Sequence, residues 1–152
     1  MRAKFIYEKF TEDSDPVNDM GIGLKHLIEK WIEEMNKKSI DQMGIKNYSI
    51  DEYANINVED NCSLPDHCGN IPEYIKFGII KGEFIISNCN MTTLRGCPEI
   101  VERDFKCNSN SLTSLEYCPK IVKGNFICSG NVIGFNSNAI RKICKVGKDI
   151  IN

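Results

Sequence analysis

Hydrophobic and polar positions between Phe84 and Asn131 recur with a period of 21 residues. The segment FIISNCNMTTLRGCPEIVERD (84–104) aligns with FKCNSNSLTSLEYCPKIVKGN (105–125), and FICSGNVI follows from Phe126. Phe84, Phe105 and Phe126 share a column, as do Ile86, Cys107 and Cys128. Cys89, Asn110 and Asn131 form the next column, followed by Met91, Leu112 and Ile133. Leu94 and Leu115, Cys97-Pro98 and Cys118-Pro119, and Ile100-Val101 and Ile121-Val122 complete the repeat. Self-similarity at a fixed period of this length predicts a solenoid whose coils bury a shared core.

The alternation at Phe, x, Cys points every second side chain inward, as a strand does. At the Asn column the chain turns off the strand, and an amide carries both the donor and the acceptor that such a bend needs. Cys89, Asn110 and Asn131 are therefore expected to form a structural ladder. Pro98 and Pro119 suit the back of the coil, where no sheet ladder needs their missing N–H. The outward positions, among them Ile85, Asn88, Lys106, Asn108 and Ile127, form a face open to a partner, and most are small or polar.

Upstream, Ile56, Val58 and Asn61 match the Phe, Cys and Asn columns, which predicts a first strand over 56–61 and a first coil of 28 residues. Leu24, Leu27, Ile28, Trp31, Ile32 and Met35 recur at helical spacing and predict an amphipathic helix over 24–38. That helix would cover the open end of the stack or dock a protein partner, with Trp31 as its anchor in either case. Residues 1–23, with Phe5, Ile6, Tyr7 and Phe10, lack the periodicity of a core and read as an extended docking leader or, alternatively, a flexible tail. After Gly134-Phe135, Ser137 can cap a short helix running through Val146 to Gly147. The predicted organisation is a leader (1–23), a helix and linker (24–55), a solenoid (56–135) and a helical cap (136–152). The fold class is α+β: a stack of about four coils with a parallel sheet.

Composition narrows the function. With 152 residues, 41% hydrophobic and 26% charged, the chain can bury roughly 70% of its unfolded surface as one domain. A net charge of −2 argues against nonspecific phosphate binding and so against a nucleic-acid partner. No apolar run approaches the ~20 residues of a membrane span, and no membrane partner is expected. The N-terminus lacks the apolar core and cleavage site of a secretory signal. Eight cysteines could form a disulfide framework. However, they fall mostly in core columns, where a reduced thiol acts as a small hydrophobe.

Cys62, His67 and Cys68 are the one cluster with metal-ligand types close together. Structural zinc takes four convergent ligands, and only three are local, so no metal and no cofactor are expected. The two histidines, His26 and His67, show no nucleophile–base spacing, and there is no glycine-rich phosphate loop. No catalytic residue is predicted, and the chain is read as non-enzymatic. The candidate partner contacts are Phe5, Tyr7, Phe10, Trp31, Ile85, Asn88, Lys106, Asn108 and Ile127.

The columns resemble the leucine-rich-repeat core L-x-L-x-x-N/C-x-L. Leu112-Thr-Ser-Leu-Glu-Tyr-Cys-Pro-Lys-Ile-Val-Lys-Gly-Asn-Phe126 is similar to the LTSLEGCP-type repeats of tailed-bacteriophage proteins. Tyr117 stands where those repeats carry Gly, and Gly96 keeps the Gly one coil earlier. The resemblance implies a phage structural or accessory protein on the virion, acting through contacts with other virion proteins. The alternative is an inhibitor or adaptor that binds a host protein in the cytoplasm of the infected cell.

Overall fold

A computed structural model of the protein describes residues 16–40 and 43–152. The chain forms a parallel-strand β-solenoid of about five turns, carrying strands on two sides of each coil. One sheet is built from β1 (Tyr48–Ile50), β2 (Asn55–Val58), β4 (Lys76–Ile80), β6 (Ile100–Val101), β8 (Ile121–Val122) and β10 (Lys145–Val146), in that order. The other runs β11 (Ile150–Ile151), β9 (Phe126–Ile127), β7 (Phe105–Lys106), β5 (Phe84–Ile85), β3 (Cys62–Ser63). All neighbours pair in parallel except β1, which pairs antiparallel with β2.

The 21-residue columns are the vertical rows of the stack. Phe84 pairs with Phe105 and Phe105 with Phe126. All three rings are fully buried, with centroids 6.2 and 5.0 Å apart. Phe77 joins the row at 5.0 Å from Phe84, and Trp31 meets Phe77 edge-on at 6.2 Å. Each such ring contributes roughly 1.5–3 kcal/mol by leaving water, so the aromatic row is the spine of the core.

The beginning of the stack differs from the expected alignment. Ile56 and Val58 pair with Phe77 and Ile80 on the Ile-Val side, while Cys62 pairs with Phe84. The Phe column therefore opens at Cys62, and the coil down to Glu83 has 22 residues, not 28. Cys62 is a small residue in a Phe position, and one extra residue before Cys68 displaces the register. The alternating Ile56-x-Val58 imitates the same pattern on the wrong side of the coil. The back of each coil is also a strand, so a single parallel sheet is replaced by two.

The N-terminal helix α1 spans Pro16–Lys38 and so begins before Leu24, within the stretch read as an extended leader. It buries Leu24, Ile28, Trp31, Ile32 and Met35 in the common core. The Asn36 amide then brackets Ile45, donating to its carbonyl at 2.9 Å and accepting from its N–H at 2.7 Å. Gly44, at φ 135°, makes this approach possible, because a Cβ there would lie 2.5 Å from Asn36 Oδ1. Ile45 bridges to Cys62, and α1 thereby covers the first coil.

At the other end, Asn136 rather than Ser137 caps the helix α2 (Ser137–Ile143), accepting from the N–H of Asn138 and Ala139. The helix stops at Ile143, short of Val146. Residues 145–151 return to strand and add a further turn, with Val146 opposite Val122 and Ile150 opposite Phe126. The stretch read as a helical cap thus divides between that short helix and a further coil of the solenoid. Ile133, placed in the core by its column, is 47% exposed, because the chain leaves the template there.

Candidate functional site

Beside the first coils lies a cleft of about 1060 Å³ that the 21-residue columns did not reveal. It is bordered by Leu24 and Lys25 of α1, the turn at 50–55, and the stacked corners at 73–76, 95–99 and 117–120. Asp51 builds the turn. Its Oδ1 accepts from the N–H of Tyr53 (2.9 Å) and Asn55 (3.0 Å), and its Oδ2 from the amides of Asn55 and Asn57. Burial, the largest single influence, pushes the Asp51 carboxyl upward, but those donors together outweigh it and hold the group below the usual carboxylate range. Ala54, at φ 61°, closes the turn and projects Tyr53 into solvent at 74% exposure.

The facing wall carries Arg95 and Tyr117. The guanidinium lies 5.8 Å from the centre of the Tyr117 ring, and it pairs with Glu73 at 3.4 Å. Lys76 and Glu99 form a neighbouring pair at 3.7 Å. Tyr117 sits at φ 70°, the position held one coil earlier by Gly96 at φ 93°. A bulky side chain in the left-handed region is a strained placement that surrounding contacts must maintain. Gly96 itself leaves no room, since a Cβ would meet Ile71 Cγ2 at 2.7 Å. Tyr53, Arg95 and Tyr117 are the residue types that anchor protein interfaces, set here around an apolar floor of Leu24, Cys97 and Pro98.

The predicted contacts are distributed otherwise. Phe5, Tyr7 and Phe10 lie outside the described residues. Trp31 is only 6% exposed and belongs to the core, so it is not available to a partner. Ile85, Lys106 and Ile127 are brought into one vertical row by strand register. Lys106 pairs with Glu83 at 3.4 Å, and Asn108 accepts the Ser87 hydroxyl at 2.7 Å. Asn88 is exposed at φ 57°. This row is a real surface, but its members are half-buried and engaged with neighbouring coils.

The ladder residues have specific tasks. Asn110 Oδ1 accepts from Cys89 N–H and Met91 N–H, both at 3.0 Å, and its Nδ2 donates to the carbonyls of Ile86 (2.8 Å) and Cys107 (3.1 Å). Asn131 repeats this with Leu112, Cys107 and Cys128. Cys89 uses its thiol on Pro65 and Ser87 carbonyls, each at 3.4 Å.

Cys62 is fully buried in the Phe column, and His67 is exposed with its Nδ1 3.0 Å from the Asn90 amide, so the Cys62/His67/Cys68 cluster does not converge. Among the described residues no group of three or more His, Cys, Asp or Glu is placed to hold a metal ion, and no helix is long and apolar enough to cross a membrane. No family model, curated protein or solved structure matches the chain.

The cleft escaped sequence reading because its walls come from five separate segments. One signal was present: Tyr117 occupies a column where a Gly is expected.

Proposed function

We propose that the protein is a non-enzymatic binding scaffold that holds a protein partner in the cleft between the 50–55 turn and the Arg95/Tyr117 corner. The observation that carries this reading is the grouping of Tyr53, Arg95 and Tyr117 around an apolar floor on a rigid stack. Aromatic and Arg side chains at such a site supply most of an interface's energy. The ion pairs Arg95–Glu73 and Lys76–Glu99 would form its polar rim. Leucine-rich-repeat-like kinship with tailed-phage proteins remains part of this proposal and rests on the repeat Leu112–Phe126. On that basis the partner is another virion protein and the chain resides on the particle.

Quantitative mass spectrometry of purified particles tests the location, with stoichiometric presence expected. Absence from particles sinks the virion reading. Capture of one host protein by the wild-type chain, but not by Tyr53→Ala or Tyr117→Ala, would then favour the host-binding alternative.

A further inference from the structure

All eight cysteines are unbridged, and several stack in columns: Cys97 over Cys118, Cys107 over Cys128, Cys68 over Cys89. The last pair differs from the others. Cys107 and Cys128 are both buried, so a reagent cannot reach them in the folded chain. Cys118, like Cys68, is half-buried, but burial pushes its thiol up to about 11. Cys68 is half-buried at the bend of the first coil, beside exposed Asp66 and His67.

Two backbone bonds fix the pair in place: His67 N–H donates to Asn88 O at 2.8 Å, and Gly69 N–H to Cys89 O at 2.7 Å. The Cys89 sulfur reaches up into that same bend, 3.4 Å from the Pro65 carbonyl, where the Cys68 and Cys89 thiols act on each other electrostatically. Adjacent parallel strands run about 4.8 Å apart, inside the Cα separation of roughly 4.4–6.8 Å that a disulfide spans.

We propose that Cys68 and Cys89 are a thiol modification site: a dithiol that takes a low-molecular-weight disulfide, such as glutathione disulfide, and closes into a bond joining the first two coils. Cys68 is the attacking group. The hydrogen bond from Cys89 lowers its thiol, against burial and with help from the Lys38 charge, while the other seven are raised.

The Cys68 thiolate attacks one sulfur of glutathione disulfide. A mixed disulfide forms, and the departing glutathione thiolate takes up the proton that Cys68 gave to solvent. Cys89 is held protonated chiefly by its bond to Cys68, then by burial and by the Cys68 charge. Capping Cys68 removes that charge and frees Cys89 to lose its proton. Its sulfur then attacks Cys68 and expels the second glutathione. In sum, two protein thiols are oxidised to one disulfide and one glutathione disulfide is reduced to two glutathiones.

The test incubates the folded full-length chain with glutathione disulfide, quenches it with an alkylating agent and maps the peptides by mass spectrometry. The expected product is a single Cys68–Cys89 cross-link, with the chain lighter by two hydrogens and the buried Cys62, Cys97, Cys107, Cys128 and Cys144 alkylated only after unfolding. Cys89→Ser should stop at one glutathione adduct on Cys68, and Cys68→Ser should not react, with circular dichroism confirming that each variant is folded. The proposal is overturned if the folded wild-type chain stays unmodified, keeps glutathione on Cys68 without closing, or first links another pair such as Cys97–Cys118.

Discussion

At its N-terminal end the solenoid is covered by three elements. Helix α1 presses Ile28, Trp31 and Ile32 onto the first coil, β1 pairs antiparallel along one sheet edge, and Ile45 bridges to Cys62 on the other. At the C-terminal end the last coil has lighter protection. Arg141 donates to the Val146 carbonyl at 3.1 Å and to the Lys148 carbonyl at 3.0 Å, occupying backbone acceptors beside β10. Ile143 and Ile151 remain about half exposed. A stack of coils needs covers because its ends expose core and unpaired edges. The contrast shows two solutions: a hydrophobic lid on one end and a cation on backbone carbonyls at the other.

The largest expected effect breaks the lid. Trp31→Ala removes a buried ring that touches Phe77 and should cost about 3–5 kcal/mol in urea denaturation. Ile151→Ala at the opposite end should cost under ~1 kcal/mol, as exposed positions usually do. Equal losses at the two ends would show that α1 does not seal the first coil.

The second contrast runs along the ladder. Asn110 is buried and satisfies two N–H groups and two carbonyls, so Asn110→Ala should cost about 3 kcal/mol through the groups left unpaired. Asn131, with fewer bonds and nearer the end of the stack, should cost about 1 kcal/mol. Thermal unfolding of both variants measures the ratio. A larger effect at Asn131 would mean that the terminal coils carry more of the stability than the middle.

The same contrast explains what the sequence disclosed. Phe84, Phe105 and Phe126 repeat because each coil must fill the same core position, and that constraint is visible in one dimension. The first coil was hidden because Cys62 does the work of a Phe and an extra residue shifts the period before Cys68. The second sheet was half visible: the Ile-Val pairs were evident, but a pair of residues does not reveal whether it forms a ladder. The cleft depends on Leu24, Tyr53, Arg95 and Tyr117 meeting in space, which no local pattern encodes. Only the odd Tyr in a Gly column pointed toward it.

That column offers a finer comparison, between two occupants of one backbone position. Tyr117→Gly should be more stable than Tyr117→Ala by about 1 kcal/mol, because Gly adopts φ 70° without the Cβ conflict that Ala keeps. Gly96→Ala should cost more, over ~2 kcal/mol, since its Cβ would also press on Ile71 and the Ile75 carbonyl. Tyr117→Gly should nevertheless weaken partner capture. A variant that binds as well as the wild type would remove Tyr117 from the proposed interface.

The smallest effect concerns the turn opposite Tyr117 and appears only in acid. The Asp51 carboxyl has a lowered pKa in the folded chain, set by burial, which raises it, and by the stronger opposing bonds from Asn55, Asn57 and Tyr53. A depressed carboxyl stabilises the fold at pH above its unfolded value, about 3.9. That contribution is lost as pH falls through the lower folded value. The urea midpoint of the wild-type chain should therefore decline more steeply below pH 4 than that of Asp51→Asn, with the two profiles running parallel from pH 5 to 7. Because other carboxylates titrate in both chains, the difference between the profiles isolates Asp51. Profiles that stay parallel down to pH 3 would mean that the bonds at Asp51 shape the turn without favouring its ionised form.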